Sequence, residues 1–186
     1  MKTAIKTEFI CVKPRSSLAQ DRFDNCMDRL HSCRVTKRKH GKLFLETTGY
    51  NYSKRRCEQI VTWFVNEYLP RYKLIINIDH LGLLRHGVFG WVWAADCDHR
   101  PRDFEIEIHN RMTPENYTKT LLHELWHIRQ HVKGQLKDKY KKRLWKGVDH
   151  SKTDYEDQPW EKDANAMEEI LYREYVSYLT NSNLSL

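Results

Sequence analysis

The sequence predicts an α+β fold, because segments with helical and with strand periodicity are grouped along the chain instead of alternating. Three strand-like runs follow one another between residues 74 and 110, with one clear helix before them and two after them. With 186 residues, of which 40% are hydrophobic, the chain is long enough to bury one core. We therefore expect a single domain over residues 1–186, with a mostly helical N-terminal extension over 1–70 and a core over 71–186.

The N-terminal part contains one weak helix prediction and one strong one. A helix is expected roughly from Leu18 to His31, and KLFLETT at 42–48 resembles a short strand. Residues Tyr52 to Tyr68 place their apolar side chains on one side of a helix that ends before Pro70.

The three strand-like runs are LIINI at 74–78, GVFGWVWAA at 87–95 and FEIEIHN at 104–110. The last run alternates, with apolar side chains at 104, 106 and 108 and polar ones at 105, 107 and 109. We expect its apolar face to be buried and its polar face to meet solvent or a ligand.

Two helices are predicted in the C-terminal half. The first has Thr113 as N-cap and Pro114 at its first position, and should run to Val132, with Gly134 just beyond its end. A polar and basic connection over 135–158 follows. The last helix should run from about Pro159 to Leu179, with Asp157 as its cap.

The helix at 114–132 contains the sequence His123-Glu124-Leu125-Trp126-His127, an H-E-x-x-H motif. Side chains four residues apart lie one turn above each other, so His123 and His127 can offer ring nitrogens to one ion. Zinc suits imidazole, and a catalytic zinc site uses three protein ligands and a water molecule. Glu124 can reach that water as a general base.

The same helix is predicted to be largely buried, because a full apolar stripe lies almost opposite the two histidines. Its members are Tyr117, Leu121, Leu125, Ile128 and Val132. Two histidines and a glutamate within a buried helix need partners, since buried polar groups without them are costly.

A third ligand is expected from the last helix. Glu161 lies at the edge of that helix's inward stripe, and Ala164, one turn on, leaves room for close approach to the motif helix. Glu168 lies on nearly the same face and is the competing candidate, while Asp157 and Asp163 are weaker ones.

These residues carry a resemblance to known metallopeptidases. The H-E-x-x-H motif followed by a glutamate on a later helix resembles the gluzincin arrangement of the zincins, and EKDAN at 161–165 resembles the E-x-x-A-N of ImmA/IrrE-type peptidases. The wider pattern HELWHIRQHVKGQL…LWKG…YEDQPWEKDA is similar to small zincin-like peptidases of phages. The resemblance covers about residues 104–170.

The resemblance implies a zinc metallopeptidase, a hydrolase of zincin-like fold: a small mixed sheet, a motif helix and a C-terminal helix that supplies the third ligand. It implies His123, His127 and Glu161 as zinc ligands and Glu124 as the base that activates the zinc-bound water for hydrolysis of a protein or peptide substrate. FEIEIHN resembles the edge strand that pairs with an extended substrate. Tyr155 and His109 are the candidate donors to the oxyanion, with Tyr155 as the predicted catalytic residue.

The distribution of charge predicts a second class of function. The net charge is +7, and residues 34–56 and 129–146 each hold eight basic side chains against one acidic one. Such segments suit a polyanion, so the alternative is a basic nucleic-acid-binding protein with a structural or degenerate zinc site. A protease recruited to DNA would combine the two.

The sequence also bears on localisation. No apolar run reaches the roughly 18 residues that span a bilayer, and MKTAIKTEFICVK lacks the apolar core of a secretory signal. Five scattered cysteines do not form a disulfide framework. We therefore expect a cytoplasmic protein, in the host cytoplasm if a phage encodes it.

Overall fold

The computed structural model describes residues 43–96, 100–139 and 142–182. They form an α+β arrangement of two sheets and three helices, which are α1 (Lys54–Tyr68), α2 (Pro114–Val132) and α3 (Pro159–Asn181). The fold class and all three of these helices were predicted. The helix expected over 18–31 lies outside the described residues. Within the described ranges, no helix combines the length and the apolar composition needed to cross a membrane.

The larger sheet is small and mixed, as predicted. Its strands are β1 (Leu43–Gly49), β2 (Leu74–Leu81), β3 (Gly90–Ala94) and β4 (Asp103–His109). They lie in the order β1-β2-β4-β3, with β2 parallel to both β1 and β4 and with β3 antiparallel to β4.

The prediction that FEIEIHN is the edge strand is therefore wrong. This segment is β4, and it lies between β2 and β3. The reason is that the run GVFGWVWAA forms β3 and pairs along the outer side of β4, so that β3 takes the edge. Periodicity identifies a strand but does not rank strands across a sheet.

The main core lies between one face of this sheet and the helices. The apolar side chains of β4 at 104, 106 and 108 are buried there with those of β2 at 74, 76 and 78. Helix α1 adds Ile60 and Phe64, and α2 adds Leu121 and Leu125, all four completely buried. Residues 43–69 thus contribute a strand and a helix to the same core as the segments that follow.

The polar face of β4 is more enclosed than its sequence suggests. Glu107 and His109 are only 7% and 2% exposed, and Glu105 is half-buried. Trp91 Nε1 donates a hydrogen bond to Glu107 Oε2 over 2.7 Å, and Asn77 Nδ2 donates one to Glu105 Oε1 over 3.1 Å. We expected this face to meet solvent or a ligand, and the structure shows that Glu107 and His109 do not meet solvent.

Helix α2 begins and ends as predicted, whereas α3 begins without the predicted cap. The Thr113 hydroxyl accepts a hydrogen bond from Asn116 N, and Gly134 follows the helix at a φ of 72°. At α3, Pro159 occupies the first helical position, so Gln158 becomes the N-cap. Asp157 instead lies in a short 3₁₀ turn and pairs with Lys162 Nζ at 2.7 Å.

The connection between α2 and α3 contains an unpredicted antiparallel sheet of three strands, β5 (Leu136–Lys139), β6 (Lys142–Trp145) and β7 (Val148–Asp149). The strands are short and rich in lysine, which strand propensity disfavours. What holds the sheet is a small apolar cluster of Leu136 and Trp145 with Trp160 from the first turn of α3. The sheet thereby fixes the beginning of α3.

Candidate metal centre

The two motif histidines meet at their ring nitrogens. His123 and His127 are 1% and 0% exposed, and their Nε2 atoms lie 3.1 Å apart. The one-turn spacing on α2 places both rings on the side that faces α3, away from the apolar stripe that packs in the core.

Glu161, in the first turn of α3, completes a group of three. The side chain is 2% exposed, with Oε2 3.6 Å from His123 Nε2 and Oε1 3.8 Å from His127 Nε2. In a tetrahedral zinc site with bonds of about 2.0–2.1 Å, ligand atoms lie about 3.3 Å apart, close to these distances. Among the described residues, His123, His127 and Glu161 form the group that could hold a metal ion.

The other carboxylates considered from the sequence lie elsewhere. Glu168 Oε2 approaches His123 from its other ring nitrogen, Nδ1, at 3.5 Å, and is 37% exposed. Asp163 Oδ2 accepts hydrogen bonds from Trp126 Nε1 and Gln130 Nε2, over 2.7 and 2.9 Å. Asp157 is exposed and paired with Lys162. Glu161 therefore has the position of a ligand, and Glu168 the position of a group that orients a ligand.

Glu124 is completely buried beside the first histidine. Neither of its carboxylate oxygens has a hydrogen-bond partner among the described residues, and Glu161 Oε1 has none either. Buried carboxylate oxygens are costly when they lack a partner, so this cluster has the chemistry of a site for a cation and a polar ligand such as water. The donor set of two imidazoles and one carboxylate fits a divalent metal ion.

Gly90, at the start of β3, makes room for Glu124. A Cβ atom on Gly90 would lie 2.9 Å from Glu124 Oε1 and 3.1 Å from Thr120 Cγ2. The absence of a side chain therefore lets the edge strand approach the carboxylate closely. We did not identify Gly90 from the sequence, although glycine within a strand often marks such a close approach.

Gln130 is a second site residue that sequence reasoning missed. It is completely buried, and its Oε1 accepts a hydrogen bond from His127 Nδ1 over 2.7 Å. Its Nε2 donates to Trp160 O and Asp163 Oδ2, which fixes the orientation of the amide. Because Nδ1 then carries the proton of the His127 ring, the free lone pair is on Nε2, the atom that faces His123 and Glu161. The sequence signal that could have identified Gln130 is its position three residues after His127, which places the two side chains next to each other on the helix.

The electrostatics of the cluster favour positive charge. Burial lowers the pKa of His123, but the hydrogen bonds to Glu161 and Glu168 outweigh it and raise that pKa to about 10. Burial raises the pKa of Glu124 to about 8 and also raises that of Glu161. Burial and the nearby His123 hold the pKa of His127 well below its usual range. A cation placed among these carboxylates would replace the proton on the imidazole.

The two candidate oxyanion donors lie in different surroundings. Tyr155, in the turn before α3, donates a hydrogen bond from its hydroxyl to Glu161 Oε2 over 3.0 Å. Tyr155 therefore lies next to one of the three candidate metal ligands. His109 is buried at the end of β4, where its Nδ1 accepts a hydrogen bond from Leu83 N over 3.2 Å.

Comparison with known proteins does not assign this arrangement to a family. The chain matches no family model, no curated protein and no solved structure.

Proposed function

We propose that the protein is a zinc-dependent metallopeptidase of gluzincin type and zincin-like fold that hydrolyses peptide bonds of a protein substrate. The observation that carries the proposal is Glu124, a buried carboxylate with no hydrogen-bond partner among the described residues, directly beside a histidine–histidine–glutamate group. A structural zinc site is closed by four protein ligands and needs no carboxylate base, whereas a catalytic site keeps one position open.

The residues divide the chemistry between them. His123, His127 and Glu161 would hold the metal, and the ion would supply Lewis-acid chemistry by acidifying a water molecule and polarising the carbonyl group of the substrate. Glu124 accepts the proton of the attacking water at its carboxylate and passes it to the leaving amine nitrogen. Gln130 and Glu168 orient the imidazole rings from their Nδ1 sides.

The edge strand β3 is the place where we expect an extended substrate peptide to bind. In the described sheet β3 pairs with β4 alone, and its first residue, Gly90, lies against Glu124. A peptide added along the outer side of β3 would continue the sheet through backbone hydrogen bonds. Its scissile bond would then pass near the base, which is why we assign substrate pairing to β3 instead of β4.

Tyr155 is our candidate for stabilising the oxyanion. Its hydroxyl lies 3.0 Å from Glu161 Oε2, which places it beside a proposed metal ligand. A phenol hydroxyl there can donate a hydrogen bond to negative charge that develops on the carbonyl oxygen.

The alternative function, nucleic-acid binding, receives less support from the segment 129–146. Several of its cations are engaged within the chain. Arg143 pairs with Asp138 at 2.8 Å, and the guanidinium of Arg129 lies 4.2 Å from the centre of the Trp126 ring. Under this alternative, affinity for DNA would fall steeply with salt and survive loss of Glu124.

The decisive experiment substitutes Glu124 by glutamine, which keeps the shape of the side chain and removes the base. The full-length protein loaded with zinc would be incubated with a peptide library of defined composition, and cleavage would be followed by mass spectrometry. We expect the wild type to cleave and E124Q to lose at least about 100-fold in rate while it still binds zinc. Zinc-loaded wild type that cleaves no faster than E124Q would contradict the proposal.

A further inference from the structure

A further feature of the described residues lies at the beginning of α1. It is a pocket of about 400 Å³ between the start of α1 and the segment that leads into α2. Its lining residues are Asn51, Tyr52, Ser53, Arg56, Asn110, Met112 and Tyr117. None of the groups that we assign to the metal centre lines it.

The charge at this pocket is unusual for a helix beginning. The first turn of α1 contains no acidic residue and carries three basic ones, Lys54, Arg55 and Arg56. Helix N-termini carry partial positive charge and favour anions, so three cations there repel both the helix dipole and each other. Within the described part of the chain, no carboxylate lies within 4.0 Å of their charged groups. Among the described residues, the positive charge at the beginning of this helix is therefore not compensated by a carboxylate.

Two buried donors point to what would compensate it. Asn110 is only 4% exposed, lines the pocket, and has no acceptor for its Nδ2 among the described residues. Arg56 also lines the pocket, and although the residue is only partly buried, its Nε atom is buried and has no partner among the described residues. Amide and guanidinium N–H groups can only donate, so both lining residues hold a donor that needs an acceptor.

The pocket wall is held rigidly. The Tyr52 ring stacks on the His80 ring, with centroids 3.4 Å apart and planes 6° from parallel. His80 Nδ1 donates to Thr48 O over 2.9 Å, and its Nε2 accepts from the Tyr117 hydroxyl over 2.8 Å. This chain of contacts ties β1, β2 and α2 together behind the pocket, so its shape is set before a ligand arrives.

We propose that this pocket binds a phosphate group. Helix N–H groups, the Arg56 guanidinium and the Asn110 amide would supply several hydrogen-bond donors, which suits an oxyanion with several acceptor oxygens. The phosphate is either free inorganic phosphate or a phosphodiester of a nucleic acid. The latter source agrees with the basic character of residues 34–56. This inference does not depend on the proposed peptidase activity.

The test measures binding of inorganic phosphate to the full-length protein by titration calorimetry at constant ionic strength. Three variants are compared with the wild type after circular dichroism has established that they are folded. R56Q removes the lining cation, and N110D places a negative charge in the pocket at nearly unchanged shape. R55Q is the matched control, because it removes the same charge from the same helical turn at an exposed position outside the pocket.

We expect phosphate to bind the wild type, with affinity reduced about 10-fold or more in R56Q and N110D and less than about 2-fold in R55Q. A labelled duplex oligonucleotide then distinguishes the sources: if R56Q weakens its binding to a similar degree, a phosphodiester occupies the pocket, and otherwise free phosphate does. The proposal is overturned if phosphate does not bind the wild type, if N110D binds as well as the wild type, or if R55Q loses as much affinity as R56Q.

Discussion

At the scale of single residues, the two motif histidines are oriented by different partners. His123 Nδ1 faces the partly exposed Glu168 carboxylate, whereas His127 Nδ1 donates to the completely buried Gln130 amide. A charged and a neutral partner produce different basicity in the two rings. The buried contact is also the more rigid one, since the amide is itself held by Trp160 and Asp163.

Replacement of Gln130 by alanine should therefore weaken metal binding without removing a ligand. Loss of the acceptor frees the His127 ring to rotate and to place its proton on Nε2, so we expect zinc affinity to fall about 10- to 100-fold. A competition titration with a chromophoric chelator measures this affinity. Gln135→Ala is the matched control, because its amide contacts Arg129 instead of a histidine. Equal affinities in Q130A and Q135A would contradict the assignment.

At the scale of residues, the sequence predicted the three candidate ligands but not the side chains that contact them. The one-turn spacing of His123 and His127 follows from helix geometry alone and required no tertiary information. The choice between Glu161 and Glu168 required tertiary information, because both lie on nearly the same face of the last helix. What separates them is the position of α3 along α2, which brings Glu161 to Nε2 and Glu168 to Nδ1 of the same ring.

At the scale of elements, the edge strand β3 lies close to the Glu124 carboxylate, which we propose as the base. Gly90 on β3 is the point of closest approach, and a side chain there would push against Glu124 and Thr120. The sheet can approach the Glu124 carboxylate this closely because Gly90 has no Cβ atom.

The variant Gly90→Ala tests this contact. The added methyl group should displace the Glu124 carboxylate by a few tenths of an ångström or more, and we expect cleavage to fall about 10- to 100-fold while zinc content is unchanged. The matched control is Gly82→Ala, since a Cβ at Gly82 meets no atom within 4 Å. Peptide-cleavage rates and zinc content would be measured for both. Full activity in G90A would show that β3 does not constrain the base.

The opposite face of the same sheet makes a separate prediction about pH. Burial, together with the neighbouring Asp79, Asp103 and Glu107, raises the pKa of Glu105 from its ordinary value of 4.5 to about 7 despite the hydrogen bond from Asn77. The folded state therefore holds this proton more tightly than the unfolded state. It follows that the free energy of unfolding decreases as pH rises from about 4.5 to about 7 and loses no more from this group above that range.

Replacement of Glu105 by glutamine should remove that part of the pH dependence. We expect E105Q to be about 1–2 kcal/mol more stable than the wild type at pH 8, with allowance for partial solvent screening, and nearly equal to it at pH 4. Urea denaturation at a series of pH values measures the difference. Parallel stability curves for the two proteins would show that Glu105 keeps an ordinary pKa.

Element boundaries were more predictable than element neighbours. Thr113, Pro114 and Gly134 mark the ends of α2 through local backbone chemistry, so the sequence sufficed there. The order of β3 and β4 depends on pairing between distant segments, and periodicity does not encode it. The sheet at 136–149 was missed because its stability comes from packing against Trp160, not from the strand propensity of its lysine-rich segments.

At the scale of the whole molecule, the candidate metal centre joins two helices that a connection of 26 residues (133–158) separates. Helix α2 supplies His123 and His127, while α3 supplies Glu161 from a turn that the second sheet holds through Trp160. The three ligand atoms therefore come together only when both sheets and both helices are in place. A metal ion bound there would stabilise the folded chain over the unfolded one, in which the group does not exist.

The most direct test of the metal centre is the zinc content of the full-length protein, purified without a histidine tag and measured by elemental analysis. It would be compared with His123→Ala, Glu161→Ala and Glu168→Ala, the last of which removes the carboxylate that competes with Glu161 for the role of third ligand. We predict about one zinc per chain in the wild type and in E168A, and none in H123A or E161A. Absence of zinc from the wild type even after reconstitution, or its retention in E161A, would contradict the assignment of this site.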